Sequence, residues 1–379
     1  MVLYNPCHVC GKHSLEKIKG FEMFSRITSD TKIWPKGGSL FICSSCCCIQ
    51  KGGDKKWHDE LKEIYNNYNS YYQSEGKEQN VFQDNSVVPR SKKIISFLRG
   101  KVNLKKEGQL LDIGCGNGGL FESCNELLPA WELSGLEYND KFKEKVLGIK
   151  NVKCFYTGDI QKITHKFDCI SMVHLFEHIL NPIEFLINLK NKLKKEGFIL
   201  IEVPNFDKMP FDLLIADHAS YFSMETLSYI INKAGYEILY ISDEFINKEI
   251  TAIIKKGEVV EPKIKVGFKL MEEKALRHLK WLDTLKNKAK NLCETENFGI
   301  FGTSNAGTWL CNELDGKVQF FVDEDSSRVG KSHLNCPVFS PSRAPKKSTI
   351  FLPFPYPIAV NIKNKFKDQL NMVTPENYT

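Results

Sequence analysis

Residues 110–119 read LLDIGCGNGG, and this stretch decides the fold. The apolar run of Leu110, Leu111 and Ile113 predicts a buried strand, and the glycines predict a tight turn before a helix from Phe121 onward. Glycine lets the backbone come close to a ligand, and the amides at a helix start point toward it. The stretch therefore predicts the first strand, turn and helix of an α/β fold that binds a ligand at the turn.

Asp112 indicates which ligand this turn binds. The spacing of Gly114, Gly116 and Gly119 also satisfies a dinucleotide fingerprint, but a carboxylate at the strand end repels a pyrophosphate. It suits a ligand with an ammonium and a sulfonium group instead, as in S-adenosylmethionine (SAM). D-I-G-C-G-N-G resembles motif I of the class I SAM-dependent methyltransferases, whereas the plain alternative is a glycine turn without a ligand. The turn residues expected to bind SAM are Asp112, Gly114, Gly116, Asn117 and Gly118.

Residues at the ends of the later strands fit the same cofactor. An acid is expected about 20 residues after the first turn, where it holds the ribose hydroxyls, and Glu137 has this position. Tyr138 follows it, and Asp159 with Ile160 fits the adenine end. The fourth strand runs toward His174, and its carboxyl edge is expected to face the methionine portion. Each acid alone would more often be a solvated loop residue, but their order along the chain favours a SAM site.

The chain has 379 residues, which indicates two or three domains. Strand-like and helix-like segments alternate in its centre, so the predicted fold class is α/β with a doubly wound, Rossmann-like SAM-methyltransferase core. The predicted divisions are a zinc-binding module over 1–55, a helical segment packed on the core over 56–100, the SAM domain over 101–258, a connecting helix over 259–297 and a smaller C-terminal Rossmann-like domain over 298–379.

Charge and hydropathy indicate which classes of partner the chain binds. The net charge of +6 comes from lysines spread over the whole length, whereas a nucleic-acid binder more often concentrates its charge in one stripe. We therefore expect a small-molecule substrate and no nucleic acid. No apolar run approaches transmembrane length and no signal peptide is recognisable, so we also expect no membrane association and a cytoplasmic protein.

Two C-x-x-C pairs near the start of the chain predict a structural zinc ion, because four thiolates complete a tetrahedral site and leave no open position. The predicted ligands are Cys7, Cys10, Cys43 and Cys46. Cys47 or Cys48 is an alternative to Cys46, and a redox pair is an alternative to zinc.

Two histidine-bearing segments follow the fourth and fifth strands, at the edge of the sheet where ligands bind in this fold. One contains His178 and the other contains Asp217 and His218. A histidine beside a carboxylate is a suitable general base near neutral pH. The plain alternative is that His178 and Ser223 only cap helices.

The layout as a whole resembles the sugar-nucleotide C-methyltransferases, which methylate a ring carbon of dTDP-linked keto-deoxysugars. The features that carry the resemblance are the two C-x-x-C pairs, Ile49-Gln50, DIGCGNG, IEVPN, residues 218–223, GIFGTSNAG and FVDED. It implies SAM and zinc as cofactors and a nucleotide-linked sugar as the substrate.

The resemblance also implies catalytic residues. A Tyr-His-Glu-His run of the family matches residues 215–218, where this chain keeps the histidine as His218, shortens the acid to Asp217 and has Ile215 instead of tyrosine. In the family, a base removes the proton beside the keto group and the enolate attacks the methyl. His178 matches a further active-site histidine, and Tyr71 or Tyr72 is the nearest equivalent of a contributing aromatic; Tyr72 is the predicted catalytic residue.

The C-terminal domain carries a second glycine turn, Gly302 to Gly307, which no acid precedes, so a phosphate would be tolerated there. Asp323 follows at about the ribose spacing. The turn and FVDED resemble small Rossmann-like units that hold nucleotide-sugar substrates. The alternative is a structural domain that binds no ligand and only closes the cleft of the SAM domain. Three other functions remain open: a sugar or glycan O-methyltransferase, a ribosomal-RNA methyltransferase with a zinc module, and a non-catalytic SAM-binding module.

Overall fold

The computed structural model describes residues 5–68, 80–83, 86–294 and 297–377. The elements of the N-terminal region are β1 (Leu15–Ile18), β2 (Arg26–Ile27), β3 (Ile33–Trp34), β4 (Leu40–Cys43), β5 (Ile49–Lys51), α1 (Lys55–Asn66), β6 (Asn80–Gln83), β7 (Ser86–Pro89) and α2 (Arg90–Lys101). The hairpin of β6 and β7 corrects the prediction of a helical segment over 56–100. β-branched Val81, Val87 and Val88 favour strands, and among the described residues of this segment the helices are α1 and α2.

A central sheet follows, with helices on both faces. Its region contains β8 (Gly108–Ile113), α3 (Gly119–Leu127), β9 (Trp131–Glu137), α4 (Lys143–Leu147), β10 (Val152–Thr157), β11 (Phe167–Val173), α5 (Pro182–Leu189), β12 (Leu193–Pro204), β13 (Ser220–Tyr221), α6 (Met224–Lys233), β14 (Tyr236–Ser242) and β15 (Glu249–Lys256). The strand order is β10-β9-β8-β11-β12-β15-β14, and β15 runs antiparallel to both of its neighbours. The order reverses beside β8, which places the glycine turn at the topological switch point where ligands bind in such sheets.

The faces of this sheet are buried in two separate cores. Residues of α2, α3 and α4 pack on one face, and residues of α5 and α6 pack on the other. The buried strands read as nearly continuous apolar runs, as expected for a sheet covered on both faces. The predicted α/β fold with a Rossmann-like core is confirmed.

The C-terminal region forms a second, smaller α/β unit. Its elements are α7 (Phe268–Leu292), β16 (Phe298–Phe301), α8 (Asn305–Glu313), β17 (Phe320–Val322), β18 (Ser332–His333), β19 (Cys336–Phe339), β20 (Thr349–Phe351), α9 (Tyr356–Lys365) and β21 (Met372–Val373). The sheet order is β18-β19-β17-β16-β20-β21, so the order also reverses beside the strand that precedes the second glycine turn.

The N-terminal region is joined to the central domain by a shared sheet. β13, from the segment between β12 and α6, pairs antiparallel with β5 in the order β1-β4-β5-β13. One apolar core also extends from the N-terminal strands across α7 to the C-terminal sheet. Within the described residues, no helix combines the length and apolar content that crossing a bilayer requires.

Candidate functional site

The glycine turn after β8 has a backbone that only glycine adopts readily. Gly114, Gly116 and Gly118 have φ angles of 75°, 53° and 89°, all in the left-handed region. A Cβ at Gly118 would lie 2.4 Å from Cδ1 of Ile149. The turn therefore ends at Gly119, where α3 begins, and Asn117 within the turn is buried.

Two carboxylates flank this turn. Asp112 is buried and accepts a hydrogen bond of 2.7 Å from the Ser171 hydroxyl, while burial raises the pKa of Asp112 to about 7. Glu137, at the end of β9, accepts hydrogen bonds from the backbone N–H groups of Gly116 and Tyr138. Burial also raises the pKa of Glu137. The paired acids favour a cationic ligand without phosphates, so the chemistry of the donor set fits SAM.

The residues predicted at the adenine end lie at the same edge of the sheet. The N–H of Gly158 donates to the carbonyl of Glu137 at 2.9 Å, which places Asp159 next to the end of β9. Asp159 caps a short 3-10 helix by accepting from the N–H of Gln161, and Ile160 is buried. Tyr138 is 72% exposed, so its ring is available to cover a ligand.

His174 lies in a half-buried charged cluster rather than alone at the strand end. It has a left-handed φ of 51°, and its Nε2 hydrogen-bonds the Arg90 guanidinium. Arg90 also donates to Glu249 at 3.1 Å and lies 3.9 Å from Glu202. Burial lowers the pKa of His174 to about 4 and raises that of Glu202 to about 7. This cluster joins the ends of β11, β12 and β15 to the start of α2.

His178 and His218 meet at the same edge, on the side predicted to bind the acceptor. Their rings lie edge to face, with centroids 4.7 Å apart; the His218 side chain is buried and that of His178 is 12% exposed. A Cβ at Gly114 would lie 3.0 Å from Cδ1 of Leu175, so the histidine segment that starts at His174 packs directly against the glycine turn. The predicted donor and acceptor sides are therefore contiguous.

The acid that pairs with His218 is Asp212, not the adjacent Asp217. Nδ1 of His218 lies 2.8 Å from Oδ1 of Asp212, although off the line of a good hydrogen bond. Asp217 instead lies beside His178, whose Nδ1 is 3.0 Å from the Asp217 carbonyl oxygen and 3.5 Å from its carboxylate. The predicted pairing of Asp217 with His218 is therefore wrong. The two side chains are neighbours in sequence but face different partners, since Asp217 lies beside His178 and His218 lies beside Asp212.

The two histidines are driven to opposite protonation states. Burial disfavours the cation of both, and for His178 the nearby His218 adds to this, so the pKa of His178 is lowered. For His218, the negative charge of Asp212 outweighs burial and raises the pKa to about 9. Near neutral pH, His178 is a neutral base and His218 is a cation.

An aromatic residue from the segment before the core does reach this site. It is Tyr65, whose Oη lies 3.2 Å from Nδ1 of His178 and whose ring centroid is 6.1 Å from that of Tyr138. Tyr65 thus lies between the predicted cofactor and acceptor sides. Tyr71 and the predicted catalytic Tyr72 fall outside the described residues.

The four predicted zinc ligands come together. The Sγ atoms of Cys7 and Cys46 are 3.7 Å apart and those of Cys10 and Cys43 are 3.6 Å apart, with all four within 4.8 Å of one another. Zn–S bonds of about 2.3 Å in a tetrahedron place sulfur atoms about 3.8 Å apart, so the cluster fits zinc. Neither Cys47 nor Cys48 belongs to this group among the described residues, and Cys47 donates to the Val266 carbonyl oxygen.

The second glycine turn is hydrogen-bonded to Asp323 through Thr303. This carboxylate accepts from the N–H and the hydroxyl of Thr303, at 2.9 and 2.8 Å. Arg328 donates to the Thr303 hydroxyl at 3.1 Å and lies 3.4 Å from Asp323. The predicted ribose-binding acid therefore stands at the turn, with a cation beside it.

Comparison with known proteins agrees with the central fold. Residues 87–241 match a protein family described as a methyltransferase domain. The ubiquinone biosynthesis O-methyltransferase of Glaesserella parasuis is 26% identical over 135 residues, which cover 32% of this chain and 56% of that enzyme. The chain contains a class I SAM-dependent methyltransferase domain.

Solved structures of methyltransferases resemble the domain at low sequence identity. A SAM-dependent methyltransferase from Clostridium acetobutylicum is 15% identical, with a TM-score of 0.38 over 53% of this chain and 98% of that one. The mitomycin 7-O-methyltransferase MmcR is 16% identical, with a TM-score of 0.39 over 44% of this chain and 54% of that one.

Several residues of the methyltransferase domain and its surroundings were not predicted from sequence. Asp212 and Arg90 carry no local signal, because only the folded chain brings them to the histidines. Glu202 did carry one, since it is a lone acid within an apolar strand, as Asp112 is. The alternative role of Ser223 is confirmed, because it caps α6 with Thr226, whereas α5 begins after Asn181 and not at His178.

Proposed function

We propose that this chain is a SAM-dependent methyltransferase that methylates a nucleotide-linked sugar at the carbon beside a keto group. The observation that carries the proposal is the contact of neutral His178 with cationic His218 next to the glycine turn. Titratable groups whose environments push their pKa values apart are typical of an acid–base pair.

SAM, when bound, supplies an electrophilic methyl group. Asp112 and Glu137 would hold its ammonium and ribose ends, and the glycine turn, Asn117, Tyr138, Asp159, Ile160 and His174 would surround it. In the acceptor site, His178 takes the proton from the carbon beside the keto group. His218 stabilises the negative charge that develops on the keto oxygen, and Asp212 keeps His218 protonated. Asp217 orients His178.

The outer regions would support this chemistry. We propose that the four cysteines hold a structural zinc ion, because their sulfur spacing suits a closed tetrahedral site. The turn at Thr303, with Asp323 and Arg328, offers a carboxylate to a ribose and a cation to a phosphate of the nucleotide. That site lies at the switch point of its own sheet, which supports a ligand there.

The test is mass spectrometry of a panel of nucleotide-linked keto-sugars incubated with SAM. A product heavier by one methyl group identifies the acceptor and supports the proposal. If no member of the panel is methylated although SAM binds, the acceptor class is wrong.

O-methylation of a sugar is the second candidate. His178 would serve a hydroxyl acceptor equally well, Ile215 replaces the tyrosine of the C-methyltransferase run, and the curated relative is an O-methyltransferase. The two candidates differ in where the methyl group is found, which a fragmentation spectrum of the product establishes.

A further inference from the structure

Asp217, the acid beside His178, is held by a residue of the N-terminal region. Its side chain is fully buried, and Oδ1 accepts from the backbone N–H of Ser29 at 2.9 Å. Oδ2 accepts from the Ser29 hydroxyl at 2.5 Å. Ser29 therefore binds both oxygens of a carboxylate that is 188 residues distant in sequence.

The turn that carries Ser29 is fixed by its own hydrogen bonds. It links β2 to β3, and the Thr28 hydroxyl donates to Asp30 and accepts from the N–H of Lys32. Beside it, the N–H of Ala216 donates to the Ile27 carbonyl oxygen at 2.7 Å, so residues 27–29 run alongside residues 215–217. These hydrogen bonds hold the backbone of Ser29 beside Asp217.

The contact matters because of the proton on His178. A carbonyl oxygen only accepts, so the 3.0 Å contact with the Asp217 carbonyl favours a proton on Nδ1 of His178, and the Tyr65 hydroxyl oxygen, 3.2 Å from the same nitrogen, then accepts rather than donates. The Asp217 carboxylate lies 3.5 Å from the same nitrogen and favours that proton. The other titratable groups facing His178 are Tyr65, Glu177 and His218, with Asp212 behind His218. With the proton on Nδ1, Nε2 is left to accept a proton from the substrate.

We propose that Ser29 is a positioning residue of the acceptor site: by fixing Asp217, it holds His178 in the tautomer whose Nε2 acts as the base. The inference rests on the proposed function in so far as His178 is that base. It makes the N-terminal region part of the acceptor site rather than a separate structural module.

The kinetic test is a double-mutant cycle of Ser29→Ala and Asp217→Asn. Ser29→Ala removes the hydroxyl donor, and we expect kcat to fall about tenfold with an unchanged KM for SAM. In the Asp217→Asn background the same change should cost about twofold or less, because Ser29 acts through Asp217. Equal losses in both backgrounds would overturn the proposal, and Ser29→Thr, which keeps the hydroxyl, should restore most of the activity.

Ser25→Ala is a matched control. Ser25 lies in the same region and is buried, but within the described chain its hydroxyl has no hydrogen-bond partner. We expect this variant to keep the kcat of the unmodified protein. Thermal unfolding and metal content, measured for each variant, show whether the fold survives.

A measurement without substrate separates this inference from the proposed function. In the full chain labelled with ¹⁵N-histidine, Ser29→Ala should lower the pKa of His178 and mix its tautomers, with His218 unchanged. Unchanged His178 resonances would overturn the role of Ser29, whatever the substrate. The expected shifts without turnover of any sugar would keep the role of Ser29 and contradict the proposed function instead.

Discussion

The rings of His178 and His218 meet at 88° with their centroids 4.7 Å apart, and the pKa of one is lowered while that of the other is raised. The difference arises from the acids behind them. Asp212 lies 2.8 Å from His218, whereas His178 donates mainly to a neutral backbone carbonyl. A base and a cation therefore stand side by side at neutral pH.

The pair predicts a bell-shaped pH dependence of kcat/KM. Activity should rise as His178 loses its proton, at a pH below the ordinary histidine value, and fall as His218 loses its own at about 9. His178→Asn should reduce kcat by about a hundredfold or more, since a general base is lost. His218→Asn should retain more activity and lose the alkaline limb. A profile that keeps this limb in His218→Asn would contradict the assignment.

Asp212→Asn tests the origin of the His218 charge. A histidine whose pKa is raised in the folded state stabilises the fold fully below about 6.5, and this stabilisation is lost as the pH rises through about 9. The variant should therefore lose about 2 kcal/mol of unfolding free energy at pH near 6 and much less near 10. Urea unfolding at the two pH values measures the difference. An equal loss at both would indicate a packing role for Asp212.

Sequence predicted the central domain far better than the acceptor site, for a physical reason. The strand, turn and helix at residues 110–119 are determined by local residue types, and Glu137 and Asp159 follow from the spacing of an α/β unit. Asp212, Arg90 and Tyr65 reach the site only through tertiary contacts, so no local pattern indicates them. Asp217 shows most clearly what sequence cannot predict. Its position next to His218 suggested that the two side chains pair, but in the folded turn they point to different partners.

Asp112 predicts a pH dependence of cofactor binding. Burial raises its pKa to about 7, so below this pH it is neutral and no longer attracts a cationic ligand. Affinity for S-adenosylhomocysteine should therefore increase between about pH 6 and 8 in the unmodified protein and should be weaker, with a flatter profile, in Asp112→Asn. Titration calorimetry provides the comparison.

Ser171→Ala serves as the control for Asp112. It removes the hydrogen bond that opposes the effect of burial, so the midpoint of the same profile should move to higher pH. A midpoint that does not respond to this change would assign the pH dependence to another group.

The cysteine cluster predicts about one zinc ion per chain. Replacing Cys7 and Cys10 by serine should remove it, and so should Cys46→Ser, whereas Cys47→Ser should keep it because Cys47 faces Val266. Metal loss should also reduce turnover, since Gln50 lies 3.0 Å from Cys7 and pairs with Ser220, two residues from His218. Elemental analysis of the purified variants decides between Cys46 and Cys47.

The most direct test of the account is hydrogen exchange at the acceptor. A nucleotide-linked keto-sugar methylated by the protein is incubated in deuterated water with S-adenosylhomocysteine, and mass spectrometry follows deuterium at the carbon beside the keto group. We predict exchange that requires His178 and is lost in His178→Asn. A substrate that is methylated with SAM but shows no exchange, or exchange that is unchanged in His178→Asn, would contradict proton removal by His178.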